Sequence, residues 1–131
     1  MSEMIITFPG GKRVDASFGE FTIRTDQPPQ GGGEGSAPTP YATFLASLAT
    51  CAGIFVLGFC QQREIPTDGI RLVQRLTPAP GGGIAAVGID IEVPADFPEK
   101  YLKAVAAAAN ACSVKKTIHD PPEFRIQTVV K

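Results

Sequence analysis

Apolar and polar positions change period several times along this chain, and each change marks an element. Glu3 to Phe8, Arg13 to Phe18 and Glu20 to Thr25 read as short strands separated by Pro9-Gly10-Gly11 and by Gly19. Turn residues therefore sit where the hairpins of a meander need them. The polar, glycine-laden stretch DQPPQGGGEGSAPTP follows and reads as a functional or connecting loop over a helix start. Thr39 stands as an N-cap, with Pro40 at the first helical position, where its missing N–H costs nothing. A long apolar helix is predicted from there to about Arg63.

Beyond Ile65-Pro66 the period shortens to two. Ile70, Leu72, Gln74 and Leu76 alternate with Arg71, Val73 and Arg75; after TPAPGGG, Ile89, Ile91 and Val93 alternate with Asp90 and Glu92. This predicts a second hairpin with one buried face. Pro98 then opens a second helix in which Tyr101, Leu102, Val105, Ala108 and Cys112 recur at helical spacing, and Phe124, Ile126 and Thr128 alternate in a predicted closing strand. The order is three strands, long helix, two strands, helix, strand. That order is α+β, with helices gathered on antiparallel sheet. A length of 131 residues fits a single domain spanning 1–131.

Composition narrows the function. Twelve Lys and Arg stand against thirteen Asp and Glu, so no basic footprint points to nucleic acid or to an anionic membrane surface. The opening MSEMIITFPGGK lacks the basic and long apolar segments of a secretory signal, which makes a reducing cytoplasm the expected location. Tyr41 to Cys60 carries no charge over twenty positions, the length of a membrane span. Its Thr43, Ser47, Thr50 and small residues, without a basic flank at its start, favour instead a helix buried on nearly all sides, most easily at a subunit interface.

An odd count of three cysteines in a reducing compartment is not a disulfide framework. At about 100° per residue, the nine-residue step from Cys51 to Cys60 puts the two on opposite helix faces. Cys51 falls on a stripe with Tyr41, Phe44, Leu48 and Phe55, whereas Cys60 reads as a small buried hydrophobe. Cys112 closes the stripe of the second helix. Buried cysteine is common, so pattern alone leaves Cys51 and Cys112 between packing and chemistry.

Two segments carry a resemblance that bears on this choice. SAPTPYATFLASLATCAGIFVL resembles the first long helix of the OsmC/Ohr family, the osmotically inducible and organic hydroperoxide resistance proteins. ACSVKKTI is similar to that family's second cysteine segment, usually Cys-Pro-Val. The resemblance implies an OsmC-like fold, antiparallel sheets wrapped around long central helices, in an intertwined homodimer. It implies a stress-response peroxidase in which Cys51 attacks an organic hydroperoxide and Cys112 resolves the resulting sulfenic acid as a disulfide, to be reduced by an external dithiol. No cofactor and no metal is implied. Neither nucleic acid nor membrane is an expected partner.

The chain departs from that family at one informative position. Family reductases carry a Glu ten residues before the first cysteine, where this chain has Tyr41, and an Arg in the N-terminal strands, for which Arg13 and Arg24 are the candidates. Tyr41 either packs or donates toward Cys51. Cys51 lies three turns into its helix, so that helix's own dipole activates it little. An alternative function is thus a non-catalytic, dimeric stress-associated protein holding a small apolar ligand at the subunit interface. His119 reads as an exposed loop histidine, GGGEGS lacks the Lys-Ser/Thr of a phosphate loop, and Lys115 and Lys116 read as cations at the second helix's C-terminus.

Overall fold

A computed structural model describes residues 3–131, in which two compact units, Met1–Ala46 and Ser47–Lys131, divide within the long helix. In the first unit, β1 (Ile5–Gly10), β2 (Arg13–Phe18) and β3 (Phe21–Thr25) form an antiparallel sheet in the order β1-β2-β3. Phe18 pairs with Phe21 across a two-residue turn in which Gly19 has a φ of 56°, a left-handed conformation that glycine adopts without strain. β1 runs two residues past the predicted Phe8, because Gly10 still pairs with Arg13 beyond an irregularity after Thr7.

The glycine-laden loop is folded on a carboxylate that the pattern of the sequence did not single out. Asp26 is 1% exposed. Its Oδ1 accepts from the Gln27 N–H at 2.7 Å, and its Oδ2 accepts from the Ser36 hydroxyl at 2.6 Å, the Ser36 N–H at 3.0 Å and the Glu34 N–H at 3.4 Å. These donors hold its carboxyl down at about 2. Gly33 is required there, since a Cβ would stand 2.0 Å from the Gln27 carbonyl oxygen. The loop therefore closes on itself around an internal anion.

The first helix, α1 (Pro40–Gln62), begins as the sequence predicts: the Thr39 Oγ1 accepts from the Ala42 N–H at 3.1 Å, with Pro40 next in line. It is long and apolar enough, by length and composition, to cross a membrane. Its packed stripe within the second unit is Leu48, Ala52, Val56, Phe59 and Cys60, a different face from the predicted Tyr41-Phe44-Leu48-Cys51-Phe55. Only Leu48 belongs to both; Tyr41 and Phe44 are exposed, with their rings stacked 6.0 Å apart.

In the second unit, β4 (Arg71–Pro78) and β5 (Ile84–Glu92) form a two-stranded antiparallel sheet. Leu72 faces Ile91 and Gln74 faces Ile89, the predicted alternation, while Arg71 pairs with Glu92 and Arg75 with Asp90. Val56, Phe59, Cys60, Phe97 and Val105 make the core, with Leu72, Ile91 and Tyr101 packed against it. Phe59 lies edge-on to Tyr101, and the Arg63 guanidinium sits 3.7 Å above the Phe59 ring centroid.

Among the described residues the strands form two sheets, in keeping with the expected antiparallel sheets. Two expectations are corrected. The second helix ends early: after a 3-10 turn at Glu99–Tyr101, α2 (Leu102–Ala109) stops where the Asn110 N–H turns back to the Ala107 and Ala108 carbonyls. Cys112, with ψ of 124°, then caps a third helix, α3 (Ser113–His119), instead of closing the α2 stripe. Asn competes with helix through its own side chain, which the apolar spacing across positions 101–112 conceals. Finally, residues 121–131 form no strand. Pro121 and Pro122 end α3 by denying it donors, and Phe124, Ile126 and Thr128 meet no sheet edge among the described residues, leaving Ile126 96% exposed.

Candidate functional site

The packed stripe of α1 fixes where Cys51 points. Leu48 and Ala52 are buried on either side of it, one helical turn before and one residue after, so Cys51 flanks the stripe and is half-buried. Cys60 is 0% exposed, and burial pushes its thiol up. The two cysteines of one helix therefore live in opposite environments.

Cys112 is buried as well, at 3% exposure. Its thiol accepts the Lys115 N–H at 3.3 Å as the N-cap of α3 and reaches the Leu48 carbonyl oxygen at 3.9 Å. The break between α2 and α3 thus brings Cys112 onto the same turn of α1 that carries Cys51. All three cysteines are free.

The Cys51 thiol is lowered from its ordinary value to about 7. The largest cause is the Val114 N–H, followed by the Cys112 thiol; the Ser113 hydroxyl and N–H also favour the thiolate, against a desolvation cost. The Cys51 Sγ and the Ser113 Oγ are 3.7 Å apart. Sequence reasoning looked for activation in α1's own dipole or in an Arg and missed these donors, because they belong to a helix start hidden inside an apolar run. The one available signal was Asn110 interrupting that run.

The remaining candidates lie elsewhere. Tyr41 occupies the first turn of α1 in the first unit, exposed. Arg13 and Arg24 belong to the same unit, where they line a cavity of about 420 Å³ with Asp15 and Ser36. Lys115 donates through Nζ to the Asn110 side chain at 2.7 Å, tying α3 to the end of α2 rather than extending α2's C-terminus. His119 is exposed at the end of α3. Among the described residues no three His, Cys, Asp or Glu side chains cluster as a metal site. Beside Cys112, an apolar cavity of about 320 Å³ is lined by Leu48, Ala52, Ile89, Ile91 and Ala109, with Lys115 at its polar side.

The profile of the OsmC-like protein family matches residues 33–127, a span that includes both Cys51 and Cys112. The chain belongs to the OsmC-like family. A protein from Psychrobacter arcticus 273-4, assigned to the osmotic stress and detoxification response, shares the fold with 26% identity and a TM-score of 0.75, over 91% of this chain and 89% of that one. An OsmC-like protein from Mycoplasma pneumoniae aligns at 14% identity and a TM-score of 0.70, covering 91% and 87% of the two chains. An organic hydroperoxide resistance protein from Legionella pneumophila aligns at 21% identity and a TM-score of 0.55, covering 90% of each. Comparison with curated proteins gives no match. The expected α+β OsmC-like fold, with antiparallel sheets and central helices, is the observed one.

Proposed function

We propose that this OsmC-like chain is a thiol-dependent peroxidase that reduces organic hydroperoxides, with Cys51 as the peroxidatic and Cys112 as the resolving cysteine. The observation that carries this reading is a half-open thiol lowered to about 7 next to a second, buried thiol. At neutral pH about half of Cys51 is then thiolate, the nucleophilic form. The thiolate attacks the terminal hydroperoxide oxygen, the O–O bond breaks, and alkoxide leaves to take a proton while Cys51 becomes a sulfenic acid. The Cys112 sulfur displaces hydroxide from that sulfenic acid as water, giving a disulfide that an external dithiol reduces. The fold shared with proteins described as conferring organic hydroperoxide resistance agrees with this chemistry.

The working form is a homodimer. β1 and β3 leave Ile5, Ile6, Phe8 and Phe21 exposed in the first unit, and α1 leaves Ile54 and Phe55 exposed in the second. Apolar surface on this scale marks an association face. A second copy of an intertwined fold would also supply sheet edges for residues 124–128.

The test is to mix reduced protein with an alkyl hydroperoxide and count thiols. Loss of about two thiols per chain, with Cys51 linked to Cys112 and Cys60 still free, is the expected result. Unchanged thiols, or a loss that persists in Cys51→Ser, would overturn the reading. The apolar cavity beside Cys112 favours one second reading, a non-catalytic binder of a small apolar ligand. Such a binder would keep its ligand in Cys51→Ser, whereas the peroxidase loses turnover. A structure of a Vibrio cholerae organic hydroperoxide resistance homologue, with 18% identity and a TM-score of 0.57, holds captopril in one of its active sites, which supports this second reading.

A further inference from the structure

Ser113 lies one residue past the resolving cysteine, yet its side chain faces the other one. Its Oγ is 3.7 Å from the Cys51 Sγ, across sixty-two positions of sequence. The capping bond of α3 is made by the Cys112 sulfur, so the Ser113 hydroxyl is not what starts that helix. Thr117 Oγ1 holds the Ser113 carbonyl at 2.9 Å, which fixes the backbone from which the side chain projects. A protonated Cys51 can donate to the hydroxyl, but a thiolate has no proton to give. In the ionised form the hydroxyl can only donate to sulfur.

We infer that Ser113 is a catalytic residue of the hydroperoxide reaction, its hydroxyl and backbone N–H holding Cys51 as the thiolate in place of a charged activating pair. The inference rests on the peroxidase reading for its functional sense and on the geometry around Cys51 for its substance. The causes of the lowered Cys51 thiol are hydrogen-bond donors from one short segment, Val114, Ser113 and Cys112. Of these, the Val114 N–H is backbone and the Cys112 thiol is consumed in the reaction. Ser113 is the one whose donors can be removed in steps, the hydroxyl first and then both, without touching either redox sulfur. Its exposure leaves the hydroxyl in contact with water, so the proton released when Cys51 ionises has a route to solvent.

Three substitutions separate the parts. Ser113→Ala removes the hydroxyl and keeps the N–H. Ser113→Pro removes both, and the backbone accommodates it: position 113 is the first residue of α3, where proline is favoured. Cys112, with φ of −56° and ψ of 124°, already has the extended conformation that a following proline demands. Ser113→Thr retains both donors.

The measurement is the pH dependence of iodoacetamide alkylation at Cys51, read by mass spectrometry of its peptide in the full chain, together with the hydroperoxide oxidation rate. Ser113→Ala should move the alkylation midpoint up by about half a unit to one unit, and Ser113→Pro further. Ser113→Thr should stay near the parent chain. At pH 7 the same Ala variant should react with hydroperoxide about two to five times more slowly, and recover the parent rate near pH 9. A purely structural role would give a loss that does not recover with pH. Superimposable alkylation profiles for the parent, Ala and Pro chains would overturn the inference while leaving peroxidase turnover intact. A shifted profile in a parent chain that never consumes hydroperoxide would instead overturn the peroxidase reading and keep the role of Ser113 in ionising Cys51.

Discussion

The Cys112 thiol reaches the Leu48 carbonyl, which lies on α1 one turn before Cys51. This contact ties the start of α3 to the middle of α1 and sets the second sulfur beside the first. A buried thiol anchored in this way is shielded from large oxidants while remaining next to its proposed target. Cys112→Ser should therefore leave the first chemical step in place and block the second. Hydroperoxide should convert Cys51 to a sulfenic acid that dimedone traps, with no internal disulfide and little dithiol-supported turnover. A disulfide from Cys51 to Cys60 in that variant would instead require α1 to unwind, since both lie on that one helix.

The reaction should follow the ionisation of Cys51. Its folded thiol is lowered to about 7 by donors from residues 112–114, so the oxidation rate should rise with pH through 7 and level off above about 8. A thiol at its ordinary value would still be gaining rate there. Stopped-flow oxidation from pH 5.5 to about 9.5 reads the midpoint directly.

Much of this was legible in the sequence because the signals were local. Thr39-Pro40 announces the start of α1 by capping chemistry, Gly19 announces a hairpin by its freedom at positive φ, and the Leu72 and Ile91 alternation announces a two-sided sheet. The burial of Cys60 followed from the ordinary behaviour of a free cysteine as a small hydrophobe, not from the predicted stripe. What stayed hidden depends on distant partners. The face of α1 that packs is decided by Phe97 and Val105, far along the chain, and the end of α2 is decided by backbone bonds at Asn110, which interrupts an apolar spacing that otherwise carries on to Cys112. The donors to Cys51 were invisible for the same reason, since the spacing in ACSVKKTI hides a helix start. Residues 124–128 have strand alternation, but alternation supplies no partner edge.

Asp26 should give the first unit an acid-sensitive loop. Its carboxyl is held at about 2 in the folded chain, against 3.8 for the free group. A lowered folded value means that the stabilisation is complete above 3.8 and is lost as pH falls toward 2. Amide exchange at Glu34 and Ser36 should accelerate over that interval beyond its intrinsic pH dependence. Asp26→Asn should show fast exchange at neutral pH and lose the acid transition, because its amide N–H groups would face the Ser36 donors. An unchanged exchange profile in the variant would deny the carboxylate its organising role.

The core of the second unit should be most sensitive at Phe59, which is buried against Tyr101 and beneath Arg63. Phe59→Ala should cost about 3–5 kcal/mol of stability through lost burial and a residual cavity. Cys60→Ser keeps the volume and places a hydroxyl in an apolar site, at a cost of about 1–3 kcal/mol. Denaturant unfolding measures both. Cys60→Ser should also leave hydroperoxide turnover intact, which separates packing from chemistry among the three cysteines.

Association through α1 gives the remaining prediction. Ile54 is 58% exposed and Phe55 is exposed beside it, on a helix face that the second unit's own core does not cover. Water is a poor neighbour for such a face, and an interface built on it loses most when charge enters its centre. Ile54→Asp should shift the solution mass from twice the 13.8 kDa chain toward the single chain in sedimentation equilibrium. Ile118→Asp, an exposed apolar substitution on α3 outside that helix, should leave the association intact. A parent chain that sediments at 13.8 kDa across the accessible concentration range would overturn association through this face of α1.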